Sequence, residues 1–358
     1  MTMALPPYTR ILVTRMKFIG DVVLTTPVIR SLRTAYPGAY IAYMGEQHAV
    51  SLLEQNPNID ELIPFDFSRP TLVEQPRVTY LLRRRKFDLA IDLFGNPRSA
   101  LLTYLSGATV RVGAARAGRG RLYTIRVRDD GQPKTAIQFH NQFIRAAGIE
   151  PTATKTEIML TDEERMSAGS MLGTLGVGLH GSGSSVPVVA IHPGATWPAK
   201  RWLPERFGEL ASRLMEELKC RVVITAGPQD KDVVAGVLRS AKPGVVELPV
   251  MPLRSLAAVI SHCDVYVTND AGPMHIAAAL NVPTIGLFGP GEEDIWFPYE
   301  EAEGHKALRK EVPCHPCHLD FCNREGAGYM ECMFLLGVEE VLAAAVRALG
   351  ARKREFHR

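Results

Sequence analysis

The sequence predicts an α/β fold of two Rossmann-like domains in tandem, each a doubly wound parallel sheet. Three observations predict it. The chain has 358 residues, more than twice the usual domain of about 150. Short apolar runs alternate with helical patterns in both halves, and strand-helix-strand repetition means parallel βαβ units. The alternation pauses at 176–185, a Gly/Ser stretch of linker composition, and then restarts.

In the first half, strands are expected at 11–13, 39–44, 61–65 and 88–93. Helices are expected at 78–86, 99–105 and 137–147. Val28, Ile29, Leu32 and Tyr36 fall at helical spacing, and Pro37-Gly38 stops that helix. A last strand at 157–160 precedes a helix opened by a Thr161/Glu164 capping box. In the second half, strands are expected at 188–191, 222–226, 265–267 and 284–288. Phe207, Leu210, Ala211, Leu214 and Leu218 mark an amphipathic helix, and 253–260 and 275–280 are also helical. The expected domains are 1–178 and 187–340, with 341–358 as a C-terminal helix. Open parallel sheets bind ligands beyond the carboxyl ends of their strands, so the expected site is a cleft between two facing domains.

Composition excludes several classes. The hydrophobic fraction of 46% and charged fraction of 22% are too apolar for a disordered chain. With 41 Lys+Arg against 38 Asp+Glu, the net charge is +3, which excludes a globally basic nucleic-acid coat. No run approaches the ~20 apolar residues of a membrane-spanning helix, and the start lacks a signal-peptide pattern. A cytoplasmic protein is expected. Six cysteines in so long a chain do not suggest a disulfide scaffold.

Three loops follow strands and open helices. In the first, Gly20 permits a tight turn and Asp21 lies at or near a helix N-terminus. A helix cap and a carboxylate poised for chemistry are both open to it. In the second, Gly194 and Ala195 are small enough for close backbone approach, Thr196 brings a hydroxyl and Lys200 a fixed charge. That combination suits a phosphate; a surface loop packed by Trp197 and Trp202 is the plainer alternative. In the third, 268–275, Pro273 starts a helix whose amides at Ala271 and Gly272 can face an anion. Asp270 disfavours a phosphate but suits sugar hydroxyls or a cap, and His275 either faces the ligand or packs inside. No G-x-G-x-x-G follows the first strand and no G-x-x-x-x-G-K-[ST] is present. This counts against a nicotinamide oxidoreductase and a P-loop NTPase.

Ile19-Gly20-Asp21, Pro193-Gly194-Ala195 leading to Pro198-Ala199-Lys200-Arg201-Trp202, and the run from Asn269-Asp270-Ala271-Gly272-Pro273-Met274-His275 to Leu280 together resemble glycosyltransferase family nine, the ADP-heptose:lipopolysaccharide heptosyltransferases. The Pro-Ala-Lys-Arg-Trp loop is most similar to the heptosyltransferase II branch. The resemblance runs from Ile11 to about Val346. It implies a GT-B fold, with an N-terminal acceptor domain, a C-terminal nucleotide-sugar domain and a last helix that crosses back onto the first. It implies heptose transfer from ADP-heptose to the lipopolysaccharide inner core with inversion, without a metal or other cofactor. Asp21 is then the general base, and Lys200 with the helix start at Ala271-Gly272 meets the charge on departing ADP. Gly194, Ala195, Thr196, Asp270 and His275 fall in the donor site. Some family members bind the ribose through a glutamate; here Gln229 stands in that stretch.

Such an acceptor is anionic and membrane-embedded, so a location peripheral to the inner membrane is expected. Arg116, Arg119 and Arg121 lie in a glycine-interspersed stretch with Arg111, Arg126 and Arg128, free of acids until Asp129. They are expected to meet acceptor phosphates or an anionic leaflet; a solvated charged face is the alternative, as it is for the run 83–86. Cys314, Cys317, Cys322 and Cys332, with His315 and His318 interleaved, have an irregular spacing compatible with a structural zinc or with reduced, loop-packing thiols. The competing functions are another GT-B enzyme using a different nucleotide sugar, and a non-catalytic nucleotide-sugar-binding protein.

Overall fold

A computed structural model describes residues 7–178 and 186–355, with side chains as far as 350. Most of the 176–185 linker stretch therefore lies outside the described residues. The chain forms two compact units, Met1–Met159 and Leu160–Arg358. The division falls ahead of the expected boundary near 178. Its physical cause is the helix Asp162–Thr174, which packs on the helix Leu253–Ile260 of the second unit. Arg254 Nη2 lies 2.5 Å from Glu164 Oε2, and His262 Nε2 is 2.8 Å from the Arg165 carbonyl.

The first unit carries β1 (Arg10–Thr14), β2 (Tyr40–Glu46), β3 (Glu61–Phe65), β4 (Leu89–Asp92), β5 (Val110–Ala114) and β6 (Ile125–Val127). They pair in parallel in the order β3-β2-β1-β4-β5-β6. The second unit carries β7 (Val188–His192), β8 (Arg221–Ile224), β9 (Val246–Glu247), β10 (Val265–Asn269), β11 (Thr284–Leu287) and β12 (Lys306–Leu308). Their order is β12-β11-β10-β7-β8-β9, again all parallel. Counted from its own first strand, each sheet runs 3-2-1-4-5-6, the doubly wound order. The strand order reverses between β1 and β4 in one sheet and between β7 and β10 in the other. These are the topological switch points where such sheets bind ligands.

Helices on both faces cover the central strands, as all-parallel sheets require; β4 and β7 are buried at every residue. In the second unit Val189, Ile191, Trp202, Phe207, Leu210 and Val267 share one core. The helix Val338–Glu355 adds Val341, Leu342, Ala345 and Leu349 to that core. None of the helices among the described residues is long and apolar enough to cross a membrane.

Two further expectations change. Residues 157–160 form no strand. The buried Glu157 accepts from Asn58 Nδ2 at 3.0 Å, and its N–H donates to Thr26 Oγ1 at 3.1 Å. Side-chain bonds replace a ladder there. The helix expected from 78 begins at Thr71 and runs to Arg85, through Pro76. Proline removes the bond to the Leu72 carbonyl, but Leu72 and Pro76 face solvent, where water satisfies it.

Candidate functional site

In the first unit, β1 ends at the switch point and the chain enters the short helix Ile19–Val23. Phe18 is the N-cap residue and Asp21 sits in the first turn. Asp21 is therefore not the N-cap itself; its Oδ2 accepts the Phe18 N–H at 3.3 Å. Its Oδ1 is ion-paired with the Arg15 guanidinium. Only 9% of Asp21 is exposed, so the pair is largely withdrawn from water. Arg15 is itself fixed: Nη1 donates to the Leu93 carbonyl at 2.8 Å, and the guanidinium lies 4.9 Å from the Phe94 ring centroid.

The seat of Arg15 is organised by Asp92, buried at the end of β4. Asp92 accepts from the N–H groups of Phe94 and Gly95 at 3.0 and 2.9 Å, from Tyr123 Oη at 2.6 Å and from Thr14 Oγ1 at 3.3 Å. Gly95 has φ +66°, which suits glycine. Burial and the Asp92 carboxylate push the Tyr123 hydroxyl far above its usual range, so it remains a donor. The neighbouring His140 is buried and pushed down to about 3, first by desolvation and then by Arg15.

The arginine stretch follows β5, two strand positions from β1. Two spacings of about 4.8 Å put these loops roughly 10 Å apart along one sheet edge. Arg116 and Arg121 are exposed and Arg119 half-buried. The Arg119 Nε is buried without a hydrogen-bond partner. Among the described residues, no carboxylate pairs with any of the three.

In the second unit, β7 leads into Gly194, Ala195 and the short 3-10 turn Pro198–Lys200. Lys200 Nζ lies 2.5 Å from Asp270 Oδ2 and 4.4 Å from the Trp197 ring centroid. Asp270 follows β10, directly before the helix Gly272–Ala279, whose N-cap is Ala271. The two loops are tied by Asn269, which sequence reasoning left without a role. It is fully buried, donates through Nδ2 to the Pro193 carbonyl at 2.8 Å and accepts the Trp202 N–H at 3.0 Å.

Asp230 was also passed over in favour of Gln229. Gln229 is exposed and Asp230 buried. The Asp230 carboxylate accepts the Gly227 N–H at 2.7 Å, and a Cβ on Gly194 would come within 2.1 Å of it. Gly194 is thus required by Asp230 as well as open to a ligand. A Cβ on Gly291 would lie 2.8 Å from Asp270 Oδ2, so this glycine after β11 shapes the same pocket. Only close packing signals these positions, and packing is invisible in one sequence.

Thr196 is exposed and free to meet a ligand. His275 packs inward: it is 5% exposed, and its Nδ1 lies 2.7 Å from Tyr299 Oη. Burial, then the charge of Lys200, push it down to about 3, so it is a neutral ring at working pH. The cysteine segment covers the same end of the second sheet. The Asp320 carbonyl accepts the Ala199 N–H at 3.0 Å, and His315 Nε2 lies 2.8 Å from the Gly291 carbonyl. All four cysteines in it are free thiols, and no three His, Cys, Asp or Glu among the described residues are grouped to hold a metal.

The family model described as glycosyltransferase family 9 (heptosyltransferase) matches residues 77–326. Lipopolysaccharide heptosyltransferase 2 of Escherichia coli (strain K12) is 29% identical over 308 residues, covering 83% of this chain and 86% of that protein. The crystal structure of the glycosyl transferase family 9 protein from Veillonella parvula DSM 2008 superposes with a TM-score of 0.81 at 27% identity, over 96% of this chain and 97% of that one. The structure of E. coli ADP-heptose lps heptosyltransferase II gives 0.77 at 24% identity, over 96% and 100%. The fold is GT-B, with a Rossmann-like sheet in each unit. The chain belongs to glycosyltransferase family 9, the heptosyltransferases.

Proposed function

We propose that the chain moves heptose from ADP-heptose to the inner core of lipopolysaccharide, inverting the anomeric carbon, with Asp21 as general base. The observation that carries this reading is the Asp21 carboxylate at the first sheet's switch point. Arg15 holds Oδ1, whereas Oδ2 has only the long 3.3 Å bond from Phe18. Oδ2 is therefore the oxygen left to take a proton. As the acceptor hydroxyl oxygen bonds to the anomeric carbon, its proton passes to Asp21. The bond from that carbon to the β-phosphate oxygen breaks, and ADP leaves with the electron pair.

Lys200 and the amides at Ala271 and Gly272 supply positive charge where the β-phosphate gains its negative charge. Asp270 holds Lys200 in place and offers its other oxygen to sugar hydroxyls. Gly194 and Ala195 let the diphosphate approach the backbone, and Thr196 donates a hydroxyl. Gln229, on the turn beside Asp230, is the side chain available to the ribose. Arg116, Arg119 and Arg121 meet the anionic acceptor; the exposure of Arg116 and Arg121 supports this. The acceptor is lipid-linked, so the protein works at the inner face of the membrane that carries it.

The test is turnover of ADP-heptose against truncated lipopolysaccharide acceptors, followed by mass spectrometry. Asp21→Ala loses about 10²-fold or more in kcat while ADP binding by calorimetry is retained. Wild-type-like turnover in that variant overturns the assignment. Absence of any turnover by the wild-type chain with ADP-heptose overturns the donor.

A further inference from the structure

We propose that the outer face of the helix Thr71–Arg85 is a membrane-docking surface that lies on an anionic bilayer. A surface helix ordinarily turns its polar residues to water and its apolar ones inward. This helix buries Val78 and Leu82 but exposes large apolar residues as well. Leu72 is 90% exposed, Val73 58% and Tyr80 60%, and Pro76, Arg83 and Arg84 are exposed as well. At 100° per residue these six positions fall within an arc of about 120°, and the stripe is roughly 18 Å long. The helix's one acid, Glu74, is fully buried and engaged by Arg77. The exposed stripe is therefore apolar at one end, aromatic in the middle and basic at the other, with no carboxylate on it. Arg84 stacks 5.6 Å from the Tyr80 ring centroid, which pairs an interfacial aromatic with a cation.

Charge decides the occupant. An apolar stripe that ends in arginines and carries no carboxylate is matched by acyl chains beneath anionic headgroups. Self-association through the same face would set Arg83 and Arg84 against like charges if parallel, or against Leu72 and Val73 with no counter-charge if antiparallel. None of the stripe residues is among those assigned to transfer, and its readout is lipid binding, so it stands or falls separately from the reaction.

The test is co-sedimentation of the full chain with vesicles of phosphatidylglycerol and phosphatidylcholine, against pure phosphatidylcholine. Wild type binds the anionic vesicles, less so at high salt. Leu72→Glu with Val73→Glu weakens binding by about tenfold or more, and Arg83→Gln with Arg84→Gln does so comparably. Both variants stay folded, the arginine variant losing only exposed bonds such as that from Arg83 Nε to the Leu105 carbonyl, and both keep turnover on a soluble, delipidated acceptor. Equal binding by wild type and L72E/V73E overturns the proposal, as does absence of wild-type binding. A wild-type dimer that L72E/V73E converts to monomer, seen by sedimentation velocity, overturns it in favour of a second copy.

Discussion

Replacing Asn269 with alanine tests how the second unit's site is held together. Asn269 is fully buried, and its amide spans two loops by a 2.8 Å bond to the Pro193 carbonyl and a 3.0 Å bond from the Trp202 N–H. Alanine removes both bonds and leaves a buried acceptor and a buried donor unpaired. Each such group costs about 1–3 kcal/mol, and the vacated amide volume adds to it. Taking the lower half of that range gives about 3 kcal/mol. For a unit of this size, roughly 2–4 °C per kcal/mol translates this into a fall of roughly 6–12 °C in its melting temperature. The assay is differential scanning calorimetry of the full chain, with ADP titrated calorimetrically at a temperature where both proteins are folded. The loops carrying Gly194 and Lys200 lose their brace, so ADP affinity falls as well. Asn269→Asp, which keeps the acceptor but faces a carbonyl with a carboxylate, is destabilised too. A fall of less than about 2 °C in Asn269→Ala, with ADP affinity unchanged, refutes the reasoning.

Other perturbations read other parts of the site. Lys200→Ala leaves Asp270 buried without its cation; a loss of about 3 kcal/mol is expected, with weaker ADP binding, whereas Asp270→Asn is milder in stability by chemical denaturation. Gly194→Ala forces the Asp230 carboxylate off its bond to Gly227, so thermal stability and ADP affinity fall together. Replacing Arg116, Arg119 and Arg121 with alanine raises acceptor KM in steady-state kinetics and leaves ADP affinity unchanged. His140 and His275 are held near 3 in the fold, below the ~6.5 of an unfolded histidine. The unfolded chain therefore binds more protons between those values, and stability is lost as pH falls from about 6.5 towards 3. Each histidine contributes a slope of at most about 1.4 kcal/mol per pH unit. His140→Gln removes that proton uptake and flattens the dependence of melting temperature on pH.

The sequence by itself determined the α/β alternation, the three loops at strand ends and, through their motifs, the family. Those features are local: apolar runs bounded by turns, and short loops whose glycine, proline and charged residues sit in contiguous order. The Thr161/Glu164 capping box was equally legible, because its two bonds span three residues. Strands β5, β6, β9 and β12 were not legible. The edge strands β6, β9 and β12 have only two or three residues, and the inner strand β5 mixes Arg111 and Gly113 with its valines, so neither period nor composition marks them. Only the tertiary structure decided that Asp162–Thr174 belongs with the second unit, since that depends on which helix face it meets. It also decided that Arg15 holds Asp21, that Asn269 ties two loops, and that Asp230 rather than Gln229 turns inward. Each of these joins groups brought together by sheet order or a turn's direction, and neither is encoded in the spacing of residues along the chain.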